Sequence, residues 1–561
     1  MSSRGGGARW ALFALLGALT ISESPAGAAS LVPPAPKTIS VSLPGPLSGC
    51  DPVGTTVTPS VEQVLSLVLP RATSSAPSGS IAAADSIFVH SEVTNLSPLT
   101  VDYQIRKGST WSDGSRVGLP DFVATARRGA RGSGVSAPQY REIRLIHPGS
   151  NHHHIIVVFR TPTSAWPSLF SPLMAASTSQ AVLTSCTSPS AAADVSAGPF
   201  IIATSSRDQV VLVRNPHWSG RVPPAQWITV QGLRSTTPSI STVTSPLLIE
   251  RSWMTGQTLV DLTSSATLSS QVDLSNRLLS LNFDTQRGAT SSVMVRQAIA
   301  HFIDRQELVA TGPQTLFPKI AVAGSNLVSQ GQPGYTGPPS RPLSDSSTVS
   351  STTTTLPGTK PTGIDLARRF LQKAGWRLTG GKWVNRRGVP LHLRLSTARD
   401  DRWAIMATRS IAAQLNRAHL TTTIEWAPSA ADVAAQVRRG EADLGVLARP
   451  TDPFIAHAAA WFSGPSANPS SQLWTGYRDH SIDTLASQAQ RILNPVTALP
   501  LYQQVGRRLW VMMPTLPLFT EPFVTAWSSQ LNGVVDNPYE PGTLAAATSW
   551  TLNSPAKAPS P

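Results

Sequence analysis

Few side chains in this 561-residue sequence stand in patterns that do chemistry of their own. His152, His153 and His154 form a row in NHHHIIVVFR, and neutral imidazole is a common transition-metal ligand. The row leads into an apolar stretch that reads as a strand, where neighbours point to opposite faces, so only His152 and His154 share a side. No Cys or acid accompanies them in sequence, and an exposed strand entry is the expectation, not a metal centre. Cys50 and Cys186 are the only thiols. In an oxidising compartment they are expected to form one disulfide, the alternative being two unpaired buried thiols. No G-x-S-x-G, H-E-x-x-H, phosphate-binding glycine loop or C-x-x-C occurs, so no enzyme and no cofactor are expected.

The elements that must position any site are legible from periodicity. Length alone asks for two or more domains, and a hydrophobic content of 40% supplies real cores. The net charge of +14 comes from scattered basic residues without a nucleic-acid motif, so no nucleic-acid partner is expected. Residues 1–29 carry Arg4 and Arg9, the apolar run Trp10–Leu19 and a small-residue end, the pattern of a secretory signal peptide too short to span a bilayer. The mature chain is therefore expected outside the cytoplasm. Leu47-Ser48-Gly49-Cys50 mimics a lipidation box, but Leu31–Pro46 with its five prolines intervenes between it and the apolar run, and a chance match is the reading taken.

Further along, Tyr103 and Ile105 alternate with Gln104 and Arg106 as a half-buried strand requires. Ser112-Asp113-Gly114 then makes a turn, and Pro120-Asp121 opens a helix through Phe122, Val123 and Ala126. Gly198–Gly220 alternates twice around Ser205–Asp208, a hairpin. Leu279, Leu281 and Phe283 read as a strand, followed by Val295, Ile299, Phe302, Ile303 and Leu308 at helical spacing. Residues 329–362 are so rich in Ser, Thr, Pro and Gly that a mobile surface loop is expected. Helices are also expected near Ser60–Leu69, Ala404–Leu415, Asp432–Val437 and Ile482–Met512, with a buried strand at Ala442–Leu447.

Three of these stretches carry a resemblance. Trp111-Ser112-Asp113-Gly114, Gly198-Pro199-Phe200 with Arg214-Asn215-Pro216-His217-Trp218, and Val295-Arg296-Gln297-Ala298-Ile299 with Ile303-Asp304-Arg305 resemble, in order, the signatures of the large peptide-binding family of solute-binding proteins of ABC importers (family 5). The resemblance implies an α/β, two-lobed, periplasmic-binding-protein-like fold with a hinge between the lobes. Lobe I is then expected at 30–280 with a return segment 523–555, lobe II at 281–522, and a tail at 556–561. The implied function is capture of a peptide or peptide-like solute and delivery to an ABC permease at the membrane, as a monomer. The alternative is a secreted scaffold or sensor that has lost transport.

The resemblance also places candidate ligand contacts. Peptide-binding members hold the ligand's ammonium with an Asp four residues before a Pro; counting back from Pro453 gives Arg449, which favours carboxylate or phosphate instead. Asp452 either substitutes for that Asp or caps the following turn. Arg399, with Arg402 competing, is the candidate for a ligand carboxylate, the other reading being that both neutralise Asp400 and Asp401. Trp403, Trp426, Trp461 and Trp474 are either cleft walls or core.

Overall fold

The segment Leu99–Ile105 folds as its letters alternate: Leu99, Val101, Tyr103 and Ile105 are buried while Thr100, Asp102 and Gln104 lie half-exposed. It pairs antiparallel with Phe88–Leu96 and His154–Phe159, and Ile143–Pro148 completes a four-stranded sheet. Helix Leu119–Arg131 sets Phe122 against Tyr103, ring centres 5.7 Å apart. The structure, a computed structural model, describes residues 38–49, 51–53, 57–84, 86–179, 183, 189, 193–233, 247–251, 256–337, 363–463, 476–539 and 542–553. The expected signal peptide, both cysteines with their disulfide, Trp474, the tail and most of the Ser/Thr/Pro stretch lie outside the described residues.

The sequence signatures prove to be fasteners. Asp121 is buried and accepts from the Trp111 indole at 3.3 Å, the Gly118 amide at 2.8 Å and the Ala176 amide at 2.8 Å, which locks the turn onto the helix start. Gly198 touches the backbone of Leu67 so closely that an added Cβ would stand 2.5 Å from its carbonyl oxygen, and Asn215 Nδ2 donates to the Gly198 carbonyl at 2.8 Å. Arg296, only 2% exposed on helix Val293–Phe302, donates from all three nitrogens to the carbonyls of Thr290, Ser291, Met512 and Met513. Asp304 caps helix Arg305–Thr311 through the amides of Gln306 and Glu307.

A ten-stranded sheet organises the rest. Its order is Thr421–Ala427, His392–Ala398, Leu444–Pro450, Leu268–Phe283, Thr515–Ser528, Leu247–Arg251, Thr38–Pro44, Trp227–Leu233, Gln209–Arg214 and Phe200–Ser205. The two central strands, Leu268–Phe283 and Thr515–Ser528, run antiparallel across the molecule. Their ladder is interrupted between Leu274↔Pro522 and Leu278↔Thr520, where three residues face one, and again between Leu279↔Phe519 and Ser280↔Pro517. Pro517 and Pro522 thus flank irregularities, where a proline's missing N–H breaks no regular ladder. At the larger bulge Arg277 Nε donates to buried Glu521 at 2.7 Å and its Nη2 reaches Asp401 at 3.3 Å.

The chain is a mixed α/β, two-lobed fold of the periplasmic-binding-protein type. One core gathers apolar residues from between Ile39 and Val230, Leu248 and residues from Leu531 to Trp550, another gathers residues from between Leu247 and Ala448 and from Met513 to Ala526, and a third Leu327, Val328 and Phe462 with helices Ile455–Ala460, His480–Gln490 and Pro495–Met512. Pro500 sits inside the last helix without ending it; the Val496 carbonyl that loses its donor lies on an exposed turn, open to water. No helix among the described residues is long and apolar enough to cross a membrane.

Candidate functional site

A solvent-open cleft lies between two sets of chain segments. One wall is built from residues 52–81, 134–140 and 168–172, the other from Pro450–Trp461, and Asn276 of the crossing strand lies between them. The second wall is fixed to the crossing strand because Thr451 donates to the Asn276 carbonyl from both its amide, at 2.5 Å, and its hydroxyl, at 2.9 Å.

The charges of the cleft are arranged in pairs. Glu62, on helix Pro59–Ser66, accepts from Arg71 Nη1 at 2.6 Å, and both side chains are buried in the first wall. Asp452 pairs with His457 Nδ1 at 2.8 Å and accepts the Phe454 amide at 2.7 Å, so it fastens the turn ahead of helix Ile455–Ala460 while keeping about a quarter of its side chain exposed. Hydroxyls dominate the remaining polar lining: Thr73, Ser74, Ser75, Ser136, Ser168 and Ser171 line one wall. Trp461 supplies an indole face from the other.

The candidate residues are distributed unevenly around this cleft. Asp452 and Trp461 line it. Arg449 precedes the lining residue Pro450 but is itself 2% exposed and outside the lining; its Nη2 donates to the Asn326 carbonyl and its guanidinium lies 5.5 Å from the Phe462 ring centre. Arg399 is exposed and not part of the lining, and its neighbour Asp401 caps helix Arg402–Arg417 and pairs with Arg277, not with Arg399 or Arg402. Trp426 is 38% exposed on the outermost strand of the ten-stranded sheet, away from the lining, and Trp403 is buried edge-on against Phe317 and Phe519. His154 meets an acid after all, Asp102 at 2.8 Å on the adjacent strand, a partner that sequence neighbours cannot reveal. No group of three or more metal-ligating side chains occurs among the described residues.

Several cleft groups carry no signal in the sequence. Glu62 and Arg71 look like ordinary charges on a short helix and a loop. His457 is recoverable only as the histidine five residues after Asp452. Ser329 and Gln332, assigned by composition to a mobile loop, are buried; Ser329 Oγ bonds Thr451 Oγ1 at 2.9 Å and Gln332 Nε2 donates to the Asp452 carbonyl at 3.2 Å.

Residues 89–470 match the family described as bacterial extracellular solute-binding proteins, family 5 Middle. A Mycobacterium tuberculosis protein described as the probable monoacyl phosphatidylinositol tetramannoside-binding protein LpqW is 28% identical over 173 residues, 29% of this chain and 27% of that protein, so the match spans just over a quarter of the relative's length. Among solved structures the fold is similar to the periplasmic EDTA-binding protein EppA, with TM-score 0.78 and 18% identity over 92% of this chain and 97% of that one. It is similar also to the Bacillus subtilis oligopeptide-binding protein AppA in complex with a nonapeptide, with TM-score 0.70 and 15% identity over 92% and 100%. The Campylobacter jejuni protein NikZ in complex with Ni(L-His) gives TM-score 0.70 and 15% identity over 92% and 99%. With its signatures serving as internal fasteners and a cleft between two walls, this chain belongs to family 5 of the bacterial extracellular solute-binding proteins.

Proposed function

We propose that the protein captures a peptide or peptide-like solute in the cleft between residues 52–172 and 450–461 and delivers it to a membrane permease outside the cytoplasm. The observation that carries this reading is the cleft, whose second wall is anchored to a crossing strand at the larger ladder bulge. Closure about that bulge would bury a solute of a few residues' size against Trp461. The test is a thermal-shift screen of peptides, sugars, anions and metal chelates, since a ligand that binds the folded form alone raises its melting temperature. A solute that stabilises the wild type and fails to stabilise Trp461→Ala supports the reading; persistent silence across the library favours the scaffold alternative.

A second reading is a polyhydroxylated solute. Six Ser and Thr residues line one wall and an indole the other, and the acids of the cleft are already partnered, a lining suited to sugar hydroxyls and a stacked pyranose face. The partial relative, described as a probable monoacyl phosphatidylinositol tetramannoside-binding protein, points the same way. Manno-oligosaccharides in the same screen separate the two.

A further inference from the structure

We propose that Arg449 and Asn326 form a buried oxyanion site beside the cleft that takes a carboxylate or a phosphate; this rests on reading the cleft as the solute site. The guanidinium is 2% exposed, and its one hydrogen bond runs from Nη2 to the Asn326 carbonyl. Among the described residues its Nε and Nη1 are buried without a partner, and so is Nδ2 of Asn326, the residue it touches. The Asn326 side-chain oxygen is occupied by the Thr515 hydroxyl at 2.7 Å, which fixes the amide with its nitrogen unspent. All three unsatisfied groups are therefore donors. No acid pairs with Arg449 among the described residues, and burial alone lowers its pKa, to about 10.

A cation withdrawn from water without a counter-charge is costly, and the same molecule shows how such a group is normally handled. Arg296 is equally buried, yet each of its nitrogens is spent on backbone carbonyls. Arg71, Arg141 and Arg214 each leave one buried nitrogen without a partner, and among the described residues Arg449 alone leaves two. A planar group with at least two oxygens and a negative charge matches a guanidinium edge and a neighbouring amide, which is the chemistry of a carboxylate or phosphate. The segment that meets Arg449 is tied to the cleft: Ser329 bonds Thr451 and Gln332 bonds the Asp452 carbonyl, and Thr451 and Asp452 line the cleft two and three residues beyond the arginine. The anion has two possible sources, an acidic group on the carried solute or a free inorganic anion.

The experiment follows the melting temperature of the full chain in inorganic phosphate against chloride at matched ionic strength, then in pairs of solutes that differ only in a carboxylate or its amide. Wild type is expected to be stabilised saturably by phosphate, and Arg449→Gln to lose that response. If the anion belongs to the solute, the acidic member of a pair binds roughly 10- to 100-fold tighter to wild type, and the ratio falls to near one in Arg449→Gln. Phosphate stabilisation without discrimination between paired solutes assigns the site to a free anion. Asn326→Asp guards against misfolding of the first variant: an acid placed against Arg449 should raise the melting temperature and abolish the phosphate response. The proposal is overturned if Arg449→Gln keeps the wild-type response to phosphate and to acidic solutes, or if wild type responds to neither. Trp461→Ala reads the cleft separately, since its loss of solute binding alongside an unresponsive Arg449 would leave the solute site standing and remove the anion site alone.

Discussion

Arg296 and Arg449 are equally buried, at 2% exposure each, and burial lowers the pKa of each to about 10. They differ in company. Arg296 sits in the framework that joins helix Val293–Phe302 to the end of helix Pro495–Met512, and four carbonyls consume its donors. Arg449 sits beside the cleft with one acceptor and two idle nitrogens. The framework is finished chemistry and the cleft margin is not, which is the difference expected between a part selected for folding and a part that awaits another molecule.

The sharpest way to break this comparison is Arg296→Met. It strands the carbonyls of Thr290, Ser291, Met512 and Met513 and should cost about 3–5 kcal/mol in urea unfolding; a loss below ~1 kcal/mol would mean that those bonds are not what holds the helix end. The mirror experiment, Arg449→Met, removes an unpaired buried charge and should stabilise the solute-free protein by about 1–3 kcal/mol, read in anion-free buffer. Destabilisation there would show that the arginine is already satisfied in solution.

The comparison extends to buried acids. Glu250 accepts from Gln63 at 2.6 Å but leaves one oxygen unpartnered, and Asp536 accepts from Thr525 at 2.7 Å and does likewise. Burial first, then repulsion from Asp536, raises Glu250 from 4.5 to about 7; burial first, then repulsion from Asp273, raises Asp536 from 3.8 to about 6. The folded state thus binds protons that the unfolded state has released, so the stability these groups contribute is present below the unfolded values and lost as pH rises through about 6 to 7. Glu250→Gln should flatten that fall and gain on the order of 1–2 kcal/mol at pH 8 relative to wild type, measured by urea titration across pH 4 to 8. An unchanged slope would place the titration elsewhere.

Trp461→Ala should produce the smallest change in stability, within about 1 kcal/mol because the residue is only partly buried, together with loss of solute binding in calorimetry. A large stability loss with intact binding would reassign the indole to packing.

How much of this was legible beforehand follows the same division. The strand at Leu99–Ile105, its turn, and helices Leu119–Arg131 and Arg402–Arg417 were readable because alternation and capping are local properties. The signatures were readable because they are strings of adjacent letters, and their letters hold the framework together. The cleft was readable only in part. Asp452 and Trp461 fall on it, but the setting of Arg449 depends on Asn326 and Phe462, 123 residues before it and a helix after it, and no periodicity encodes such a meeting. Arg399 was chosen as the arginine ahead of a helix and Trp426 as one of four tryptophans in one stretch of chain, which fixes a segment but not the direction in which a side chain leaves it. Composition misjudged Ser329 and Gln332 because short polar side chains can be buried when each finds a partner.

The bulge on the crossing strands has a mechanical meaning. Ser275, Asn276 and Arg277 face a single residue, Glu521, while the ladders on either side keep their own registers. Bending the ribbon at that point changes the dihedrals of a few residues and leaves the flanking rungs intact, so compliance is concentrated in a crease instead of being spread along the sheet. Asn276, which holds Thr451 of the second wall, lies in the crease, and the Arg277–Glu521 bond crosses it like a stitch. A solute held against that wall would therefore meet two stiff plates turning on one line, and would feel the angle between them as its only adjustable dimension.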